Sequence, residues 1–468
     1  MSMTATATRT GEVGQEAISE FSAQIRGDVF EPRTPGYDDV RQIYNAMHDK
    51  YPAAIVRAAD AADVSTAVRF ALEQDLPIAI RSGGHNVAGL ASVDGGLVID
   101  MTRISNVFVN PDARTARVGG GADWGAVDHA THQFGLATPG GLISTTGVAG
   151  LALGGGFGHL SRSYGLCCDN IVSAEVVTAS GDVVTASDNE NADLFWAIRG
   201  GGGNFGVVTA FELKLHPVHT VYGGPVFYPA GASADVLAFY RDYIATAPRE
   251  ISAFFGYHEA PPAPFVPDEL HGHKTCMIMT CWTGAPENAE QMLKPIRSAG
   301  PVALDLAGPI PYPALNSMFD ALLPYGLHHY WKADFVGELN DASIGAHTHY
   351  GPQVPNFISL MHLYPMNGAI QDVDGGATAY AHRDAKFSHI IAGIDTDPAN
   401  MPDITAWVRD YWSALHPHSS GAAYVNFLMD EGEDRIRATY GGNYARLVDA
   451  KRTWDPENVF HVNQNIRA

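Results

Sequence analysis

A histidine set in a glycine-rich loop is the first chemistry this chain offers: His85 in RSGGHN, residues 81–86. Near neutral pH an imidazole can act as nucleophile, proton carrier or metal ligand. The two glycines before it allow positive φ and close approach of a ligand to bare backbone. Two further glycine clusters follow, GVAGLALGGGFG (147–158) and RGGGGNFG (199–206). Each alone reads as a turn. Together their amides would make an anion cradle that needs neither a helix dipole nor a lysine, and a diphosphate suits it.

Two competing chemistries fail on context. GGGNFG (201–206) satisfies the GxGxxG pattern of a dinucleotide fold, which requires a strand before it and a helix after it. Here the helix-like DLFWAIRG precedes and the β-rich VVTAFELKL follows, so a nicotinamide-dependent dehydrogenase is not expected. The pairs His271/His273, His347/His349 and His416/His418 would each share one strand face and invite zinc. No HExxH pattern completes a ligand set, so no metal is expected.

The elements that must position these residues follow from periodicity. Ala53–Val56 reads as a strand, Asp63 as the N-cap of a helix carrying Val64, Ala67, Val68, Ala71 and Leu72, and Ile78–Ile80 as a strand that empties into RSGGHN. GLVIDM (96–101) and ARVGGG (116–121) read as strands, and Asp123–Phe134 as a helix ending at Gly135. Ile171–Ala179 and Val183–Ala186 alternate around Ser180-Gly181-Asp182, a hairpin signal. Pro217 closes this mixed α/β region. Beyond it Val236, Leu237, Phe239, Tyr240, Tyr243 and Ile244 form a helical stripe, Lys274–Trp282 a strand and Pro286–Ser298 a helix, which is a separate α+β layer. Tyr444–Lys451 is helical again.

The chain has 468 residues, 46% hydrophobic and 17% charged, which excludes disordered, collagen-like and coiled-coil classes. With 51 acidic against 29 basic residues its net charge is -22, so neither nucleic acid nor an anionic membrane is an expected partner. Cys167, Cys168, Cys276 and Cys281 include no CxxC pair, which fits a reducing compartment. The start MSMTATATRTGEV lacks an apolar leader core, and no long apolar run follows. The expectation is a soluble cytoplasmic protein whose first ~20 residues are frayed.

RSGGHN, PGGLISTTGVAGLALGGGFG, YGLCCDNIVSAEVV, LFWAIRGGGGNFGVVT and NYARLVDAKRTWDPENVFHVNQNI occur in that order. Together they resemble the berberine-bridge-enzyme-like branch of the vanillyl-alcohol-oxidase superfamily, with its PCMH-type FAD-binding domain. The resemblance implies a two-domain α+β fold. A mixed α/β FAD-binding domain (31–217) would follow an N-terminal extension (1–30), a substrate domain of antiparallel sheet covered by helices would span 218–424, and 425–468 would return to the FAD side.

The resemblance also implies site residues. His85 corresponds to the histidine joined covalently to the flavin 8α carbon. Ile143 stands where some relatives have a second, cysteine link, so a single link is expected. FAD would be held by Arg81, Ser82, Gly83, Gly84, His85, Asn86, Gly89, Ser144, Gly147, Val148, Gly150, Leu151, Gly155, Gly156, Gly158, Val208, Asn426, Asn463 and Asn465. Tyr424, Tyr444 and Tyr330 are the candidate catalytic bases; a tyrosine, with an ordinary pKa of about 10, needs a nearby cation or a relay to serve near neutral pH. His328, His329 and Lys332 flank Tyr330 and would line the substrate face, although Lys332 also reads as a solvated strand residue and His362 as a satisfied core histidine. Cys167 and Cys168 receive no role.

The activity so implied is oxidation of a C–OH or C–N centre of a small alcohol, amine or secondary metabolite, with hydride going to FAD and electrons to molecular oxygen as hydrogen peroxide. The alternatives are a dehydrogenase with a non-oxygen acceptor and a non-catalytic flavin-binding module.

Overall fold

The computed structural model describes residues 14–468. Residues 1–13, most of the expected frayed start, lie outside the described residues. From Gln15 to Gln24 the chain is a helix whose Ile18 and Phe21 are buried, with Phe21 stacked on Phe70 at 4.1 Å between ring centroids. That part of the fraying expectation fails because two apolar residues at i and i+3 give the segment one face to bury. Residues assigned to the extension also reach the first sheet, since Asp28–Phe30 pairs antiparallel with Ala54–Arg57.

That sheet runs in the order Asp28–Phe30, Ala54–Arg57, Leu97–Asp100, Ile78–Arg81, and the last three strands are parallel. Parallel strands covered on both faces read as unbroken apolar runs, as AIV, LVI and IAI do here. The helix Ala61–Glu73 is capped by Asp60, whose side chain accepts from Ala62 and Asp63 N–H. Asp63, expected as the cap, lies inside the helix, where its carboxylate accepts from the backbone N–H of Arg26, Gly27 and Ala59 and ties the N-terminal segment down.

A second, five-stranded antiparallel sheet has the order Val107–Asn110, Thr115–Gly119, Val207–Lys214, Ile171–Val177, Val183–Ser187. The expected hairpin is its edge. The third sheet has eight strands and begins at Thr220, just past Pro217. From Lys274–Trp282 it continues through Ile251–Glu259, Leu360–Pro365 and Phe387–Asp395 to the edge strand His328–Val336, all antiparallel. Helices Ser233–Thr246, Ala289–Arg297, Asp341–Tyr350 and Met401–Leu415 bury their apolar stripes on its outer face. The inner face closes over the glycine clusters, so one apolar core runs from the five-stranded sheet to this roof.

After the roof the chain returns. Helix Tyr444–Trp454 packs against helix Ala192–Ile198, and Trp454 Nε1 donates to Asp193 at 2.9 Å. No helix among the described residues is long and apolar enough to cross a membrane.

Candidate functional site

Between the glycine clusters and the inner face of the large sheet lies a cavity of about 330 Å³. No Asp, Glu, Lys or Arg side chain lines it among the described residues. The polar groups facing it are backbone, hydroxyl, amide and imidazole. An anionic ligand would therefore be held by dipoles rather than ion pairs.

His85 lines this cavity at the turn that follows strand Ile78–Arg81. Its Nε2 lies 3.1 Å from Thr145 Oγ1 and its Nδ1 3.4 Å from Thr146 Oγ1. Tyr44 stacks on the ring at 4.0 Å and Tyr325 meets it edge-on at 5.3 Å. Enclosure by these groups desolvates the imidazole and holds its pKa down to about 3, which favours the neutral ring, with a lone pair on one of its two nitrogens.

The first two glycine clusters meet backbone to backbone. A Cβ at Gly83 would fall 2.3 Å from Gly147 N, and one at Gly147 would fall 2.1 Å from Gly83 N. Only glycine permits this approach, which sets the 83–86 loop beside the N-terminus of helix Val148–Leu153. Ser82 and Asn463 both line the cavity, and Ser82 Oγ and Asn463 Oδ1 are buried without a hydrogen-bond partner among the described residues. Such orphans are rare in folded proteins and mark places where a ligand's polar atoms complete the bonding.

Asn463 is itself held, its Nδ2 donating to Gly203 O at 3.1 Å and Phe460 O at 2.9 Å. The clamp behind it is a buried ion pair. Lys451 Nζ meets Asp455 Oδ2 at 2.6 Å, with both side chains at 0% exposure, and also donates to Asn204 O and Phe460 O. Asn204 donates to Gln464 O and accepts from Ile466 N, so the third glycine cluster and the C-terminal tail are fixed as one piece.

Ser82, Gly83, Gly84, His85, Asn86, Gly147, Gly150, Leu151, Val208, Asn426, Asn463 and Tyr424 all line the cavity, as does Ile143. The rest of the expected set does not. Arg81 pairs with Asp100 at 2.8 Å beneath the loop. Gly89 packs on the His48 ring, and Ser144 N–H and hydroxyl donate to Asp320. Val148 is buried in the core, Gly155 and Gly156 lie behind Tyr424, and Gly158 packs on Gly140 O. Asn465, away from the cavity lining, has a buried Oδ1 without a partner among the described residues.

Of the three tyrosines, only Tyr424 reaches the cavity. Its hydroxyl accepts from Gly156 N–H at 2.8 Å and Asn426 Nδ2 at 2.7 Å, and burial pushes its pKa up from the ordinary range. Tyr330 points to the outer face, where its hydroxyl accepts from Arg409 Nε at 3.0 Å. The reason is strand parity: His329 and Trp331 take the inner face of His328–Val336, and Tyr330 and Lys332 the outer one. Lys332 is not solvated, since it pairs with the buried Glu431 at 2.9 Å and lies over Trp412. Tyr444 sits on the return helix under Arg437, outside the cavity.

Sequence reasoning missed His258, Tyr364 and Tyr44, and read His362 as core, although all four line the cavity. The signal was present in LMHLYP, where His362 and Tyr364 alternate with apolar residues and so share one face of a strand. Among the described residues no three His, Cys, Asp or Glu side chains are gathered as a metal-holding group.

Comparison with known proteins bears on this geometry. A family profile described as "FAD binding domain" matches residues 52–187, and "Berberine and berberine like" matches 423–467. An FAD-linked oxidoreductase of Dictyostelium discoideum is 31% identical over 97% of this chain and 97% of its own. The chain belongs to the berberine-bridge-like FAD-linked oxidoreductases. The (R)-6-hydroxynicotine oxidase of Paenarthrobacter nicotinovorans is 30% identical over 94% of this oxidoreductase and 97% of its own length. Solved structures agree with the two-domain fold. The 6-hydroxy-D-nicotine oxidase of Arthrobacter nicotinovorans superposes with a TM-score of 0.84 at 28% identity, covering 94% of this chain and 98% of that one. BBE-like 1 of Physcomitrella patens gives 0.83 at 27%, covering 95% and 97%.

Proposed function

We propose that this oxidoreductase is an FAD-dependent oxidase. It takes a hydride from a C–OH or C–N centre of a small alcohol, amine or secondary metabolite and passes the electrons to molecular oxygen, giving hydrogen peroxide. FAD is held by a single covalent link at His85. The observation that carries the reading is the neutral, cavity-facing His85 imidazole between Thr145, Thr146 and Tyr44.

The residues present fit FAD. The orphaned Ser82 Oγ and Asn463 Oδ1 supply polar contacts, the Gly83/Gly147 contact packs the first two glycine loops together along the cavity wall, and among the described residues that wall carries no charge that a ligand would have to neutralise. When bound, the flavin supplies a two-electron acceptor. His85 would hold the flavin through one ring nitrogen, and the two threonine hydroxyls, Thr145 beside Nε2 and Thr146 beside Nδ1, orient the ring. Ile143 in the lining carries no thiol, which supports one link rather than two. Asn426 and the Tyr424 hydroxyl form a fixed polar pair at the cavity. All four cysteines are buried and unpaired, which supports a reducing, cytoplasmic setting.

The test of oxidase against dehydrogenase is reoxidation of the photoreduced holoprotein in air, with peroxide assayed. Recovery of yellow colour within seconds, with one peroxide per flavin, is the expected result. Recovery over many minutes would favour the dehydrogenase, and a protein that never takes up flavin would favour the binding module.

A further inference from the structure

The inner face of the roof carries a polar chain for which the flavin reading supplies no task. On strand Leu360–Pro365, His362 and Tyr364 face the cavity, and on Ile251–Glu259 so does His258. Tyr364 Oη lies 2.7 Å from His362 Nδ1, and His362 Nε2 lies 2.7 Å from His258 Nε2. His258 Nδ1 has no hydrogen-bond partner among the described residues and is not sealed in. The ends of the chain face different places. Tyr364 meets Phe157, on the glycine-cluster side, at 5.1 Å, whereas His258 lies parallel to Phe319 at 6.4 Å.

The chain exists because of a glycine. Gly256 is the register partner of His362. A Cβ there would fall 2.7 Å from His362 Cδ2 and 3.3 Å from His258 Nε2, so any side chain would force the two rings apart.

A neutral imidazole has one donor and one acceptor nitrogen, so the chain has two directional states. In one, Tyr364 donates to His362 Nδ1, His362 Nε2–H donates to His258 Nε2, and His258 Nδ1 carries a hydrogen. A proton arriving at Tyr364 Oη shifts each hydrogen one place along, and one leaves from His258 Nδ1. One proton enters, one leaves, and no charge stays behind. Burial, which drives His362 well below its ordinary pKa and His258 to about 4, opposes imidazolium and leaves this neutral route open.

We propose that the cavity binds an uncharged, ring-bearing alcohol whose hydroxyl hydrogen-bonds Tyr364, and that the Tyr364–His362–His258 chain conducts that hydroxyl's proton away to His258 Nδ1. The ring is called for by walls of Trp331, Phe427, Phe157 and Phe319, and the absence of charge by a lining with no ionic side chain to pair with one. As the alcohol becomes a carbonyl, its O–H proton leaves through this chain, and the hydride of the adjacent C–H leaves to the flavin of the reading above. The redox half of the proposal rests on that reading; the binding half does not.

The experiment is calorimetric titration of the yellow holoprotein with benzyl alcohol, toluene, benzoate and benzylammonium. Benzyl alcohol should bind about tenfold or more tighter than each of the others. Tyr364→Phe should bring benzyl alcohol to the level of toluene and leave toluene unchanged, which also shows that the variant is folded. Binding of either ion as tightly as benzyl alcohol, equal weakening of both neutral probes by Tyr364→Phe, or no binding of any probe would overturn the proposal. A colourless protein would instead sink the flavin reading and leave the titration readable. Nitrogen-15 histidine spectra test the relay. Near about pH 6 both rings should be neutral with one hydrogen shared between the Nε2 atoms, and Gly256→Ala should abolish that signal. A charged ring overturns the relay.

Discussion

Tyr44 stacks face to face on His85 with ring centroids 4.0 Å apart, and its opposite face rests on His329 at 4.6 Å. The pair fixes the plane of the imidazole and keeps water off it, the two conditions a neutral nucleophile needs. An aromatic contact of this kind is worth about 0.5–1.5 kcal/mol. Tyr44→Leu should therefore slow acid-stable flavin attachment roughly two- to tenfold, followed as apoprotein is incubated with FAD. An unchanged rate would mean that the stack plays no part in attachment.

Tyr330→Phe separates the sequence expectation from the geometry. The hydroxyl meets Arg409 on the outer face, so the variant should reduce its flavin at the wild-type rate and lose less than about 1 kcal/mol of stability. Tyr424→Phe should behave differently. It strips the acceptor from Gly156 N–H and Asn426 Nδ2 inside the core, which costs about 1–3 kcal/mol. Denaturant melts of both variants, with stopped-flow flavin reduction, make the comparison, and a large rate loss in Tyr330→Phe would contradict the placement.

The Lys451–Asp455 pair, fully buried, holds the third glycine cluster to the tail that carries Asn463. Removing one partner leaves the other charge buried alone, a loss of about 3–5 kcal/mol. Lys451→Met should lower the unfolding free energy by that order and weaken retention of non-covalent FAD in a His85→Ala background. A stability loss with unchanged FAD retention would show that the clamp serves the fold only.

Acid should unfold this protein through its histidines. His159, His329 and His347 are held down to about 3 and His258 to about 4, in each case chiefly by burial. Unfolded imidazoles titrate near about 6.5, so between those values the unfolded chain binds more protons than the native one. Stability is then fully present above about pH 6.5 and is lost as pH falls toward 4, with roughly three protons or more taken up on unfolding near pH 5. Calorimetric melts across this range check the slope, and a melting temperature flat from about pH 7 to 5 would contradict the assignment.

The parts of the fold legible in the sequence are those fixed by local pattern. The Ile171–Val177/Val183–Ser187 hairpin, the strand Lys274–Trp282 and the helix Trp124–His132 all lie where alternation or helical spacing puts them. The cap of Ala61–Glu73 was misread because Asp60 and Asp63 are both good caps, and only tertiary contacts with Arg26 and Gly27 draw Asp63 inside. At the site, His85 and the glycine loops stood out because their chemistry is local. Tyr330 against His329 was a question of strand parity, and His258 against His362 one of register between strands distant in sequence. No pattern within either segment alone contains that information.

The measurement that bears most directly on a flavin held at His85 is acid precipitation of the purified wild type and of His85→Ala. The wild-type pellet should stay yellow, while His85→Ala, still folded by circular dichroism, should release its colour to the supernatant or bind none. Yellow that leaves the wild-type pellet, or that stays in the His85→Ala pellet, would contradict the account.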